Sequence, residues 1–275
     1  MYENRYLFDY ISKERIYKEI ISCMEKSRKS SVFFISLDKI GILEKIFPSL
    51  WDCRNISQNR YHKETIFDHC MNVGNNISCR FSLLKLTGYL HDIGKVQAKK
   101  WNEKTNDWQF LKHEDIALPI LKSELEELKF PNEEINYILS IVELHMIGIF
   151  KLGKSAKKRL LRKLNGLNIN YKDLIRFDIA DKHGAINDKE RIKISEIKQL
   201  LKEFKEILDY KEPFGLKDLQ IDGYGIMTLL NIKSSRLVGE VLEDCLNLVI
   251  EQPNLNNIND LTIYIKEKYG KAKDI

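Results

Sequence analysis

Apolar residues return every three or four positions along almost the whole of this chain, a spacing that suits helices and little else. Ile194, Ile197, Leu201, Phe204 and Leu208 make one such stripe, which Pro213 is expected to end. Leu83, Leu84, Leu86 and Leu90 predict a buried helix running into His91, with Gly94 letting the backbone leave just beyond it. Pro131 followed by Asn-Glu-Glu reads as a helix start, acids at the positive end of the dipole, continuing through Ile135, Ile138, Leu139 and Val142 to His145. Ile175 and Ile179 share a helix face that leads to Asp181. The one β-prone run, Val32 to Leu37, has no partner and reads as a short buried connector or a helix. The expected fold class is all-α, and 275 residues suffice for one large domain or two small ones.

Five cysteines, Cys23, Cys53, Cys70, Cys79 and Cys245, form an odd set without a Cys-x-x-Cys pair, which predicts reduced thiols in a cytoplasmic protein. Met1-Tyr-Glu-Asn-Arg is followed by no apolar run of signal-peptide length, and Val32 to Leu37 is too short to cross a bilayer, so no membrane partner is expected. The formal charge of +5 is unevenly spread. Lys151, Lys154, Lys157, Lys158, Arg159, Arg162 and Lys163 follow one another with no acid between them. That run reads either as a solvated helix face around Leu160, Leu161 and Leu164 or as a contact for a phosphate backbone.

The chain holds six histidines, and four of them fall in order around one His-Asp pair and a later Asp. His69, His91-Asp92 and Asp181 each lie on or beside a readable helix, and packed helices bring such groups within reach of one divalent ion. His113 and His145 could complete a second site, with Asp92 as the bridge. Asp178, three residues before Asp181 on the same face, is an alternative last ligand. Mixed nitrogen and oxygen donors favour Mn, Fe, Ni, Co or Zn, one ion or two, over Mg or Ca. Such an ion lowers the pKa of bound water toward roughly 7 and polarises a phosphoryl oxygen. Lys95, one turn beyond the pair, is placed to neutralise charge on a phosphate, and His62 or His113 to protonate a leaving oxygen; His183 reads as a supporting group.

The pattern His69, His91-Asp92, Asp181 resembles that of the HD superfamily of metal-dependent phosphohydrolases. More of the chain resembles the part of bacterial tRNA nucleotidyltransferases, the CCA-adding enzymes, that lies downstream of their polymerase head. The likeness runs from Glu14-Arg-Ile-Tyr-Lys-Glu-Ile and Phe47-Pro-Ser-Leu through Tyr61-His62, Phe67-Asp68-His69 and Lys112-His113-Glu114. It continues in Lys157-Lys158-Arg159-Leu160-Leu161-Arg162, Ala180-Asp181-Lys182, Leu219-Gln220-Ile221-Asp222-Gly223 and Gly239-Glu240-Val241-Leu242. Two departures stand out. The Gly-Ser turn and D-x-D pair of the nucleotidyl-transfer head are absent from these residues, and Met146 follows His145 where many HD proteins carry a second histidine.

The resemblance implies an HD-domain helical bundle over residues 56–186, flanked by an N-terminal helical segment, 1–55, and a C-terminal, tail-like helical segment, 187–275. It implies a phosphohydrolase acting on a nucleotide or RNA-terminal phosphate ester, with 2′,3′-cyclic phosphates and nucleoside monophosphates as first substrates. The alternative is a body or subunit that holds tRNA, with a structural or vestigial metal site.

Overall fold

The computed structural model describes residues 2–60, 63–185, 191–209 and 215–270. In chain order its longer helices are α1 (Lys13–Lys26), α2 (Ser31–Lys39), α3 (Ile66–Asn76), α4 (Ser82–Leu90), α5 (His113–Glu127) and α6 (Asn132–Leu144). They continue as α7 (Lys154–Gly166), α8 (Tyr171–Gly184), α9 (Ile194–Asp209), α10 (Gly223–Leu230), α11 (Arg236–Glu251) and α12 (Ile258–Tyr269). Among the described residues the fold is all-α apart from one small hairpin, in which β1 (Lys100–Asn102) and β2 (Asp107–Gln109) pair antiparallel with Trp101 opposite Trp108. Val32 to Leu37 lies inside α2. His62 and Pro213 fall outside the described residues.

Two compact units can be told apart: Met1–Ile149 with Ile169–Glu196, and Phe150–Asn168 with Ile197–Ile275. The first unit is built around close packing of α3, α4 and α8. At Gly88 a Cβ would come within 3.0 Å of the Gly74 Cα, so α3 and α4 meet backbone to backbone and only glycine fits the crossing. Lys85 is fully buried, and its Nζ donates to Gly74 O at 2.9 Å, Ile77 O at 2.9 Å and Arg28 O at 3.0 Å. A buried ammonium at the end of α3 thus satisfies carbonyls that the helix leaves open there. Asn72 and Asn76 donate to Gly184 O and Ala180 O, both at 3.2 Å, and fix the other side of α3 to α8. The three helices that carry His69, His91 and Asp181 are thereby held in one register.

The second unit packs Ile226, Val241, Cys245, Val249, Leu261 and Ile265 of α10 to α12 into its own core. Helix α9 buries Leu200, Phe204 and Ile207, while Ile194 is 72% exposed and Leu208 39%, so its inner face is centred one residue off the expected stripe. Helix α7 buries Leu160, Leu161 and Leu164. Its basic residues turn largely to acids and carbonyls of the same unit: Lys157 to Glu203, Arg159 to Glu251, Arg162 to Glu243 at 2.6 Å, and the buried Lys158 to Ile250 O at 3.3 Å. All five cysteines are free, and no helix among the described residues is long and apolar enough to cross a membrane.

Candidate metal centre

Each donor is set by a helix end or a first turn. Thr65 caps α3, its hydroxyl accepting from Asp68 N at 3.1 Å, and His69 follows one turn in with its side chain 2% exposed. Helix α4 ends on His91, and Asp92 occupies the turn beyond it. Helix α5 opens at His113 after Lys112 in the left-handed region, α6 ends at His145, and Asp181 lies in the C-terminal half of α8. Gly94 is present for a different reason from the turn the sequence suggested. Its φ is −66°, an ordinary right-handed value, but a Cβ there would stand 2.1 Å from His113 O. The glycine lets the backbone after Asp92 touch the start of α5, which sets the two donors side by side.

The geometry forms two lobes that share Asp92. On one side His91 Nε2 lies 3.2 Å from Asp92 Oδ2 and 3.4 Å from Asp181 Oδ1. On the same side His69 Nε2 lies 3.6 Å and 2.9 Å from those two oxygens. On the other side Asp92 Oδ1 faces His113 Nε2 at 3.1 Å and His145 Nε2 at 3.8 Å. Donors bound to one ion at roughly 2.0–2.2 Å stand about 2.8–3.6 Å apart, so the first lobe has the spacing of a ligand set. Asp181 joins it, whereas Asp178 takes an ion pair with Lys182 at 2.7 Å and lines the same cavity. His183, two residues beyond Asp181, is not part of either donor group.

The tautomers follow from the backbone. Nδ1 of His91 meets Gly88 O at 3.0 Å, that of His113 meets Phe110 O at 2.8 Å, and that of His145 meets Val142 O at 2.6 Å. A carbonyl only accepts, so each Nδ1 carries a proton and each Nε2 faces Asp92, where a ring without a second proton presents its lone pair. His113 Nε2 and His145 Nε2 are 3.0 Å apart. Two lone pairs at that distance need a proton or a cation between them. Burial, then the neighbouring His91, lowers His145 to about 4, so its ring is neutral near pH 7.

The charges also call for a cation. Burial works against ionising Asp92 and Asp181, yet His91 and Lys95 hold Asp92 well below the usual carboxylate range, and His69 and His91 do the same for Asp181. Burial resists protonating His91, but Asp92 and Asp181 raise it well above its ordinary value. Lys95 Nζ lies 2.6 Å from Asp92 Oδ2 and donates to the buried Gln58 at 2.9 Å. In the ion-free protein the carboxylates thus draw positive charge from imidazoles and one ammonium. The donor set fits a divalent ion in spacing, lone-pair direction and charge, so His69, His91, Asp92 and Asp181 could hold one, and His113 and His145 a second bridged by Asp92.

The donors open into a cavity of about 450 Å³, which Lys95, Lys182, Trp108, Phe110, Leu111 and Met146 also line. Met146, which follows His145, is 58% exposed at this cavity. A larger cavity, about 660 Å³, lies in the second unit between α7 and α9, but its Lys157 and Glu203 neutralise each other and no donor set converges there. Three side chains had no sequence signal: Glu64, buried with Oε1 3.7 Å from His69 Nδ1; Gln58, which holds Lys95; and Trp108 in the hairpin.

Comparison with known proteins agrees with this geometry. Residues 66–183 match the HD domain family. The CC-adding tRNA nucleotidyltransferase of Thermus thermophilus is 24% identical over 250 residues, covering 87% of this chain and 53% of that protein. The A-adding tRNA nucleotidyltransferase of Deinococcus radiodurans is 22% identical over 233 residues, covering 83% of this chain and 52% of that protein. The chain spans about half the length of these two relatives. The match to the HD domain family thus lies at residues 66–183, within a sequence similar along most of its length to tRNA nucleotidyltransferases.

Proposed function

We propose that this protein is a divalent-metal-dependent phosphohydrolase that cleaves a phosphate ester of a nucleotide or an RNA end. The observation that carries the reading is Asp92, buried with one oxygen facing His69 and His91 and the other facing His113 and His145. A bound divalent ion of the Mn, Fe, Co, Ni or Zn class supplies an activated water and polarises a phosphoryl oxygen. The protein's own groups do the rest. Backbone carbonyls hold three imidazoles with Nε2 inward, so no reorganisation is needed to present a lone pair. Lys95, whose Nζ lies 2.6 Å from Asp92 Oδ2 at the cavity wall, would neutralise charge on the non-bridging phosphate oxygens. Lys182, paired with Asp178, lines the same cavity. Where His69, His91, Asp92 and Asp181 hold a single ion, His113 is left beside Asp92 to pass a proton from Nε2 to a leaving oxygen, and His62 is a second candidate from the sequence.

The test is hydrolysis of bis-p-nitrophenyl phosphate and of 2′,3′-cyclic nucleotides with added Mn, Ni or Co. Turnover that vanishes in Asp92→Ala supports the reading. Equal rates in the variant and the parent, with every metal, refute it.

A second reading has its own support, because the likeness to tRNA nucleotidyltransferases extends well beyond the HD domain. On that reading the chain holds tRNA, in a cytoplasmic setting suited to its free thiols, and the metal centre is structural. The pairing of Arg159, Arg162 and Lys157 with acids of their own unit argues against α7 as the contact. Titrating labelled tRNA at two salt concentrations tests it, since backbone contacts weaken steeply with salt. Absent or salt-insensitive binding removes this reading.

A further inference from the structure

The hairpin between α4 and α5 is too short to add to the core, yet it is built with care. Arg60 Nε reaches Asp107 Oδ2 at 2.9 Å, and the same guanidinium also donates to Thr105 O. Asn102 Oδ1 accepts from Lys104 N at 2.9 Å and Thr105 N at 3.3 Å, and Asn106 takes a left-handed φ of 50° to close the turn. Trp101 and Trp108 pair edge to face across the strands, ring centroids 5.2 Å apart. Lys99 Nζ sits 4.6 Å from the Trp108 ring centre while donating to Ser57 O at 2.6 Å. Trp108 is therefore held in place and still 36% exposed.

Trp108 lines the same cavity as the metal donors. The strand leaving the hairpin continues the wall with Phe110 and with Leu111, 73% exposed, before it delivers His113 to the donor set. Phe110 links the two ends of the cavity: its carbonyl fixes the His113 ring, and its own ring lies 5.7 Å from Lys95 Nζ. Met146 and Ile147, 58% and 38% exposed, add further apolar surface beside His145. A grouping of large exposed apolar side chains around a charged centre is costly unless it has an occupant. Lys95 and Lys182 are each paired with a carboxylate of the cavity, Asp92 and Asp178, so the place for a phosphate follows from the phosphohydrolase reading, while the wall of Trp108 and Leu111 suits a flat, apolar group. A cavity of about 450 Å³ falls within the roughly 300–1,000 Å³ typical of small-ligand sites.

We infer that Trp108, with Phe110 and Leu111, is a base-binding wall, and that the substrate is a nucleoside phosphate whose base stacks there while its phosphate lies at Asp92. The inference rests on the phosphohydrolase reading for the phosphate end and names the substrate class for that site. Stacking tolerates any base, so the wall selects for the presence of a base over its identity.

The test measures binding to the full chain in Mn buffer, using methylene phosphonates of adenosine and of ribose, whose P–C bond resists hydrolysis. The adenosine compound is expected to bind roughly tenfold to a hundredfold tighter than the ribose compound. Trp108→Ala should bring the ratio toward one, and Trp108→Phe should keep most of it. A ratio near one in the parent chain, or one unchanged in Trp108→Ala, overturns the inference. A trinucleotide with the same terminal phosphonate separates the two sources of a base: tighter binding than the mononucleoside compound assigns the wall to an RNA end, equal binding to a free nucleotide. Hydrolysis of bis-p-nitrophenyl phosphate and of 2′,3′-cyclic nucleotides against the Asp92→Ala control, measured in parallel, reports on the phosphohydrolase reading alone. No turnover with the binding ratio intact sinks that reading and leaves the wall, whereas turnover with a ratio of one sinks only the wall.

Discussion

Asp92 serves two sets of nitrogens at once, and each of its oxygens has a separate task. Replacing it with asparagine keeps the shape but leaves one oxygen where two were needed and removes the charge that both lobes share. Asp92→Asn is expected to lose bound metal and at least about a hundredfold in hydrolysis, checked by elemental analysis and by initial rates. Glu64 acts at one remove, behind His69, and a carboxylate in that place steadies the ring and raises its basicity. Glu64→Gln should weaken metal binding by roughly 10- to 100-fold in a titration, with the helical circular dichroism unchanged. An unchanged affinity would assign Glu64 to packing alone. That these histidines and aspartates would gather was legible in the sequence, because imidazoles are few and their order around His91-Asp92 is restrictive. Glu64 and Gln58 were not, because what gives them a role is proximity in space, and one glutamate before a capped helix looks like any other.

Helices α3, α4 and α8 were readable as elements, because a buried helix face repeats along the chain. Their register was not. It depends on Gly88 against Gly74, on Lys85 at the end of α3, and on Gly94 against His113, contacts with no periodic signature. Lys85→Met would leave carbonyls of α3 without their donor and is expected to cost about 3 kcal/mol, read from denaturant unfolding. Gly94→Ala must push α5 away from the turn after Asp92, at about 1–3 kcal/mol, and should loosen metal binding more than its effect on stability alone explains. Metal affinity equal to the parent's in a folded Gly94→Ala chain would show that this contact does not set the donors. The hairpin escaped the sequence reading because three-residue strands are too short to show an alternation. The face of α9 was misplaced by one residue because Leu200 and Ile207 fit its apolar pattern as well as Leu201 and Leu208 do.

At the scale of the molecule, the metal centre and its cavity belong to the first unit, while the second is tied internally by ion pairs between α7, α9 and α11. Lys157 and Arg162, by hydrogen bonds, hold Glu203 and Glu243 below the ordinary glutamate value of 4.5. A carboxylate whose folded pKa is depressed stabilises the fold above its unfolded pKa, and that contribution disappears as pH falls through the folded value. Both pairs are partly exposed, so each contribution is small and screened by salt. A Glu203→Gln, Glu243→Gln double variant should lose less thermal stability than the parent between pH 6 and pH 3. An identical loss would show that these pairs do not contribute. The central claim is that five helices and one turn deliver a working metal site, and elemental analysis of the purified chain beside Asp92→Ala tests it most directly. One or two transition-metal ions per parent chain and none in the variant is the predicted result; no stoichiometric metal in the parent, or equal metal in both, would contradict it.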